Sequence, residues 1–192
     1  EILSISNRHN IPIIEDAAES LGSKYKGKHT GTIGEIGIYS FNGNKIITTS
    51  GGGALVCKTK SQKEKTIFYA TQARDEASHY QHSEIGYNYR MSNISAGIGR
   101  GQMQVLDKHV LLRRNMHDFY TNLFKTSKGV RVFTEPNTDY YSNHWLSCIL
   151  IDERIAGFSR ESLRIVLQEA NIESRPLWKP MHMQPIFKNA PF

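Results

Sequence analysis

The sequence predicts an α/β fold with an open sheet, on three observations. Short apolar runs end in polar loops: IPII runs into Glu15 and Asp16, and IGIYSF runs into a turn that carries Lys45. Other stretches place apolar residues at helical spacing, as Ile67, Phe68 and Ala70 do with lysines on the other side. Past residue 90 the order is long helix, strands, helix, strand, which reads as a second, smaller α/β unit.

In chain order, Glu1–His9 reads as the tail of a helix and Ile11–Ile14 as the strand behind it. Ala17 to Gly34, rich in glycine, lysine and threonine, is expected to be a short helix and an exposed hairpin-like connection. Its GKHTGTIGEIG stretch has too many glycines for a helix and lacks the context of a dinucleotide fingerprint, so no phosphate role is assigned to it. Ile36–Phe41 and Ala54–Cys57 are expected strands, and Ser61–Ala73 a helix. Thr71–Tyr89 is irregular, and such loops on a rigid scaffold concentrate binding residues. His79 and His82 within it have no third ligand at a convincing spacing, so no metal site is expected. Ser92 is a good N-cap for a long helix running with interruptions to about Lys125. Leu106, Val110, Phe119, Tyr120 and Leu123 form its expected buried stripe. Beyond Gly129 come strands at Val130–Phe133 and His144–Ile151 around the turn-forming PNTDYYSN. Ser159–Ala170 is a capped amphipathic helix with Leu163, Val166 and Leu167 inward, then Ile172–Leu177 is a strand and WKPMHMQP a loop.

Composition narrows the classes. With 39% apolar and 22% charged residues the chain is an ordinary globular one. No run approaches the roughly 20 apolar residues of a membrane span, and the N-terminus has no signal-peptide pattern. Cys57 and Cys148 lie far apart, which argues against a disulfide framework and for a reducing cytoplasm. A net charge of +6 suits anionic partners or a generically basic surface. The charges are dispersed, so nucleic acid is not the expected partner.

Chemistry concentrates in YSFNGNKIITTSGGGA. Ser40 and Asn42 place hydrogen-bonding groups beside Lys45, and Gly51–Gly53 let backbone approach a ligand. A lysine in a partly desolvated pocket can serve as a nucleophilic amine. Asp16 reads either as a helix N-cap or as a ligand at the carboxyl end of a strand, where open α/β sheets bind their ligands. An acid after one strand and a lysine after another match what pyridoxal phosphate (PLP) requires: a Schiff-base lysine and an acidic partner for the ring nitrogen.

Four stretches then carry a resemblance: IIEDAAESLGS, GIYSFNGNKIITTSGGGALV, HSEIGYNYRMSNISAGIGRGQM and IESRPLWKPMHMQPIF. Together they resemble the DegT/DnrJ/EryC1/StrS sugar-nucleotide aminotransferases, and most closely those that make the UDP-bacillosamine precursor. The resemblance implies the fold type I of PLP enzymes, with a large, mostly parallel-sheet domain. Residues 1–108 would be the C-terminal part of that domain, and 109–192 a small, incomplete C-terminal domain. It also implies a C-terminal fragment of a longer enzyme, inactive by itself. Lys45 falls on the cofactor-bearing lysine and Asp16 on the partner of the ring nitrogen. Glu19 stands where many relatives have glutamine near the phenolic oxygen, so it is protonated, turned away or paired. Ser40 matches a phosphate ligand, with a strand-end serine as the other reading. Asn88 matches the asparagine that reaches the cofactor phosphate of the neighbouring subunit in a homodimer with shared sites, and otherwise is a turn asparagine. Arg90, Arg175, Lys179 and His182 are candidates for the sugar nucleotide, as is Trp178 unless it is core. The implied reaction moves nitrogen from L-glutamate to a UDP-4-keto-6-deoxy-N-acetylhexosamine. Alternatives are another PLP-dependent deoxysugar enzyme, a catalytically silent PLP-binding regulator and a basic nucleic-acid module.

Overall fold

The computed structural model describes residues 1–191. In chain order the elements are α1 (Ile2–His9), β1 (Ile14–Asp16), β2 (Lys24–Tyr25), β3 (Lys28–His29), β4 (Ile36–Ser40), β5 (Gly53–Cys57), α2 (Lys60–Ala70), α3 (Asn93–Met103), α4 (Leu106–Leu123), β6 (Val130–Val132), β7 (Tyr140–Tyr141), β8 (Ile149–Ile151), α5 (Glu153–Ala156) and α6 (Arg160–Glu169). The chain forms two compact units. One holds Glu1–Tyr120 with Thr134–Ser147, and the other Thr121–Phe133 with the chain from Cys148 onward. The expected division after residue 108 falls inside α4.

In the first unit β4 is the middle strand of a three-stranded sheet. It pairs with β1 in parallel, Asp16 opposite Ile38, and with β5 antiparallel, Ser40 opposite Gly53. β1 lies later than the expected Ile11–Ile14, because Ile13 gives its carbonyl to the Glu35 amide before the ladder starts. The anticipated hairpin is β2–β3, and β7 adds to its open edge, so part of PNTDYYSN is strand rather than turn. No helix forms after β1. Asp16 caps a turn there, its carboxylate accepting the Ala18 N–H at 3.2 Å.

The glycine-rich stretch 31–34 wraps the Glu15 carboxylate, which accepts the N–H groups of Gly31, Ile33 and Gly34 at 2.8, 2.6 and 2.5 Å. These amides hold an internal carboxylate instead of a phosphate. α2 begins with a reciprocal cap: Thr59 accepts the Gln62 N–H, and the Gln62 side chain accepts the Thr59 N–H. The long helix is broken at residues 104–105 into α3, capped by Ser92, and α4. Leu106 and Val110 of α4 are buried, but Phe119 and Leu123 are more than half exposed, and the buried residue of that stretch is His117. The core gathers Ile46, Ile47, Leu106, Val110 and Trp145, with Leu21 and Phe41 packed against it.

In the second unit β6 and β8 form an antiparallel pair with Val130 and Val132 buried. α6 is capped by Ser159 as expected, yet Val166 is 59% exposed. Ile172–Leu177, expected as a strand, has no ladder partner, and two short 3-10 turns follow at Met181–Met183 and Pro185–Phe187.

Candidate active site

Lys45 lies in the connection from β4 to β5, a loop closed by its own backbone. The Lys45 N–H donates to Asn42 O, the Thr49 N–H to Phe41 O and the Phe41 N–H to Gly52 O, each at 3.0 Å. Apolar burial of Ile46 and Ile47 pulls the following residues into the core and draws the Lys45 side chain in with them. It is only 12% exposed, its Nζ 3.1 Å from Oε1 of Glu19 and 4.4 Å from the centre of the Trp145 ring. In this structure Glu19 is paired with Lys45.

The backbone on both sides of Lys45 is held by side chains from elsewhere. Trp145 Nε1 donates to Asn44 O at 2.6 Å, and His109 Nδ1 lies 3.1 Å from Ile46 O. Asn143 fixes the opposite wall: its Nδ2 donates to the carbonyls of Glu19 and Leu21 at 3.0 Å each, and its N–H to Ser23 Oγ at 2.9 Å. Its own Oδ1 accepts the Trp145 N–H at 2.9 Å. Asn143, His144 and Trp145 are all buried, and His144 adopts a left-handed φ of 43°.

Behind this strap is a charged cluster. Glu135 accepts Arg114 Nη1 at 2.7 Å and the Ser142 N–H at 3.1 Å, and His144 Nε2 lies 3.1 Å from the same oxygen, off the direction a hydrogen bond needs. His144 stacks on His117 with ring centres 3.6 Å apart. Burial pushes the Glu135 carboxyl up, but Arg114, the backbone amides and His144 outweigh it and leave it at about 2. Burial pulls the His144 imidazole below its ordinary range; Glu135 opposes this, while His117 and Arg114 add to it.

Asp16 ends β1 and Ser40 ends β4, and the parallel register sets both at the carboxyl-terminal edge of the pair. Lys45 follows five residues after Ser40, and Glu19 three after Asp16, so the Lys45–Glu19 contact joins the two strand ends. Ser40 Oγ accepts the Asn42 N–H at 3.3 Å. Asn88 is exposed and bridges to Thr71, and Arg90 lines an open cleft of about 550 Å³ with Arg74 and Tyr80. The remaining candidates belong to the second unit. Arg175 pairs with Glu173 and lines a cleft of about 510 Å³, Lys179 and His182 are exposed, and Trp178, 63% exposed, is not core.

Comparison with known proteins decides the family. The DegT/DnrJ/EryC1/StrS aminotransferase family matches residues 1–191. The chain belongs to this family. It is 52% identical over its whole length to the Bacillus subtilis (strain 168) protein named "Putative pyridoxal phosphate-dependent aminotransferase EpsN", of which it covers 48%. It is 38% identical over 97% of its length to a GDP-perosamine synthase of Escherichia coli O157:H7, covering 50% of that protein. Among solved structures, a DegT/DnrJ/EryC1/StrS aminotransferase from Brucella abortus superposes with a TM-score of 0.83 and 26% identity, over 98% of this chain and 48% of that one. The chain thus spans about half the length of the relatives it matches, and its fold is part of the fold type I of PLP-dependent sugar aminotransferases.

The residues present fit PLP. A nearly enclosed amine, a carboxylate at the adjacent strand end and a hydroxyl at the end of the central strand are the groups that a ring aldehyde, a ring nitrogen and a phosphate call for. Sequence reasoning missed Trp145, Asn143 and His109. The signal for the first two was the polar pair before the indole in SNHW, an uncommon neighbourhood for the start of a strand.

Proposed function

We propose that this chain is the C-terminal half of a homodimeric, PLP-dependent aminotransferase that moves nitrogen from L-glutamate to the 4-keto carbon of a UDP-6-deoxy-N-acetylhexosamine. One observation carries the reading: the Lys45 amine is nearly enclosed, against Glu19, in the loop that leaves the carboxyl edge of the β1–β4 pair, where Asp16 ends the neighbouring strand, in a member of this family. Lys45 would hold the cofactor covalently, with Asp16 at the ring nitrogen, Ser40 at the phosphate, and Asn88 at the phosphate of the neighbouring subunit. PLP, when bound, supplies an electron sink for charge developing beside the transferred nitrogen. When its amine is free, Lys45 Nζ would take up and give back the proton that the nitrogen transfer requires. Glu19 faces the ammonium that results. Arg90, Arg175, Trp178, Lys179 and His182 would meet the nucleotide sugar, the cations at the diphosphate and the aromatic at a ring. The UDP assignment and the glutamate donor rest on the motif likeness, and the two unpaired cysteines suit a cytoplasmic enzyme.

The test is turnover by the full-length protein of UDP- and GDP-linked 4-keto sugars with L-glutamate, followed by mass spectrometry of the sugar. An amino sugar formed from the UDP substrate, with 2-oxoglutarate released, is expected. Amination of the GDP sugar alone would overturn the substrate, and PLP capture without turnover of either sugar would leave a silent cofactor binder in place of the enzyme. Borohydride reduction of the PLP-loaded protein and peptide mapping should place the pyridoxyl label on Lys45. A label on another lysine removes the site.

A further inference from the structure

We propose that Trp145 is a positioning residue for the reaction, acting through Lys45 at both ends of the lysine; this rests on the reading of Lys45 as the reactive amine. At the backbone end, the indole N–H donates to Asn44 O at 2.6 Å, which fixes the peptide leading into Lys45. At the side-chain end, the ring lies 4.4 Å from Nζ, and Glu19 Oε1 lies 3.1 Å from it. A π face and a carboxylate both attract an ammonium, and attraction to the ring grows as water is excluded. Trp145 is itself 7% exposed, its backbone N–H held by Asn143 Oδ1 and its indole N–H by Asn44 O, so the ring has little freedom to follow the lysine. The lysine follows the ring.

The role belongs to the stages in which the Lys45 amine is free, before PLP is captured and after it is displaced. While Lys45 carries the cofactor, its nitrogen is tied down covalently. Once displaced and protonated, a lysine has four side-chain torsions to lose, and it must hold its nitrogen at the same spot to give its proton back. Glu19 alone could draw the ammonium out, because the Glu19 side chain is 44% exposed. Trp145 supplies the attraction on the buried side, so the released ammonium stays inside. The two sides predict different losses. Without Glu19 the amine keeps its place but lacks a counter-charge, whereas without the π face it swings toward solvent.

The experiment uses the full-length enzyme and two readouts. One is the rate at which apoenzyme captures PLP, followed by absorbance; the other is kcat and KM for the keto-sugar nucleotide. Tryptophan at position 145 is replaced by its mono-, di- and tetrafluoro analogues. These keep the shape and the indole N–H while draining charge from the ring face. Trp145→Phe retains a face but lacks the N–H, and Trp145→Leu lacks both. We expect PLP capture and kcat to fall stepwise with fluorination, to about tenfold for the tetrafluoro ring, with KM unchanged. Trp145→Phe should fall between the native enzyme and Trp145→Leu. Flat rates across the fluorinated series, at unchanged melting temperature, would show that Trp145 merely fills the core and would overturn the proposal. Should Trp145→Leu fail to fold, the near-isosteric series still decides. Failure of the native enzyme to aminate any sugar counts against the proposed function, and the PLP-capture series then still tests the role of Trp145.

Discussion

In the proposed role at the ring nitrogen, Asp16 would act through its charge. Its shape can be kept in Asp16→Asn, so the full-length variant should still capture PLP while turnover falls. Loss of a charged hydrogen bond on the order of 1.5–3 kcal/mol corresponds to roughly ten- to hundredfold in kcat. Native turnover in that variant would leave Asp16 as the cap of the turn at Ala18 and nothing more. Glu135 contributes through its depressed pKa. The folded value of about 2 lies below its ordinary 4.5, so the folded state binds the proton less well than the unfolded one. That stabilisation is present above pH 4.5 and is lost as pH falls toward 2. His144 is depressed for another reason but with the same sign, so its share begins to fade below its ordinary value of 6.5. Glu135→Gln in the full-length protein should lose roughly 2–3 kcal/mol at pH 7 and flatten the melting temperature between pH 5 and 3. An unchanged acid slope would show that the cluster around Arg114 is not what fails in acid. The placement of Asp16 at one strand end and of Lys45 in the loop after the neighbouring strand was legible because each follows a short apolar run. Trp145 was not, because a tryptophan in an apolar stretch reads as packing, and its partner Asn44 lies 101 residues away.

Among the elements, the β1–β4 pair shows how much depends on residues without side chains. Gly31 has a φ of +81°, and a Cβ on it would enter the Tyr39 ring; one on Gly37 would overlap the Gly31 carbonyl. Loop 30–34 can therefore lie flat on β4 and give its amides to Glu15. Gly37→Ala should cost about 3 kcal/mol in full-length melting experiments, since backbone cannot yield as a side-chain tip does. Gly43→Ala, with open space around its Cβ, should stay within about 0.5 kcal/mol. Equal effects at the two positions would sink the argument from close approach. The strands β4 and β5 and the caps at Ser92 and Ser159 were readable, being set by alternation and by hydroxyls at helix starts. Ile172–Leu177 was misread because β-branched and apolar residues suggest a strand only when another strand is there to pair with them, and pairing is a long-range property. Phe119 and Leu123 were misread because helical spacing marks a face without showing whether anything covers it.

For the molecule as a whole, the segment around Asn88 sets the expectation for assembly. Tyr80, Ile85, Tyr87, Tyr89 and Ile94 are all more than half exposed, a concentration of apolar surface around the residue that would serve the neighbouring subunit. If each chain lends Asn88 to its twin, the interface is isologous. Full-length Lys45→Ala and Asn88→Ala chains, each impaired alone, should then recover activity on mixing. In the heterodimer the site on the Asn88→Ala chain receives its asparagine from the partner and is intact, up to one site per dimer. If Asn88 serves its own chain, every site carries one lesion and mixing restores nothing.

The two pins on the Lys45 backbone also order events in time. Lys45 leaves the ribosome well before His109 and Trp145, which arrive 64 and 100 residues later. Until they do, the amine is one flexible lysine among many, and closing loops of that length is entropically costly without the contacts that reward it. The arrangement around Lys45 is thus a late product of folding, absent from a nascent chain. PLP bound there as proposed, and only to the finished arrangement, would draw the population toward it, by RT ln(1 + [L]/Kd). The cell's supply of the vitamin would then act on this protein as a folding aid before it acts as a reagent.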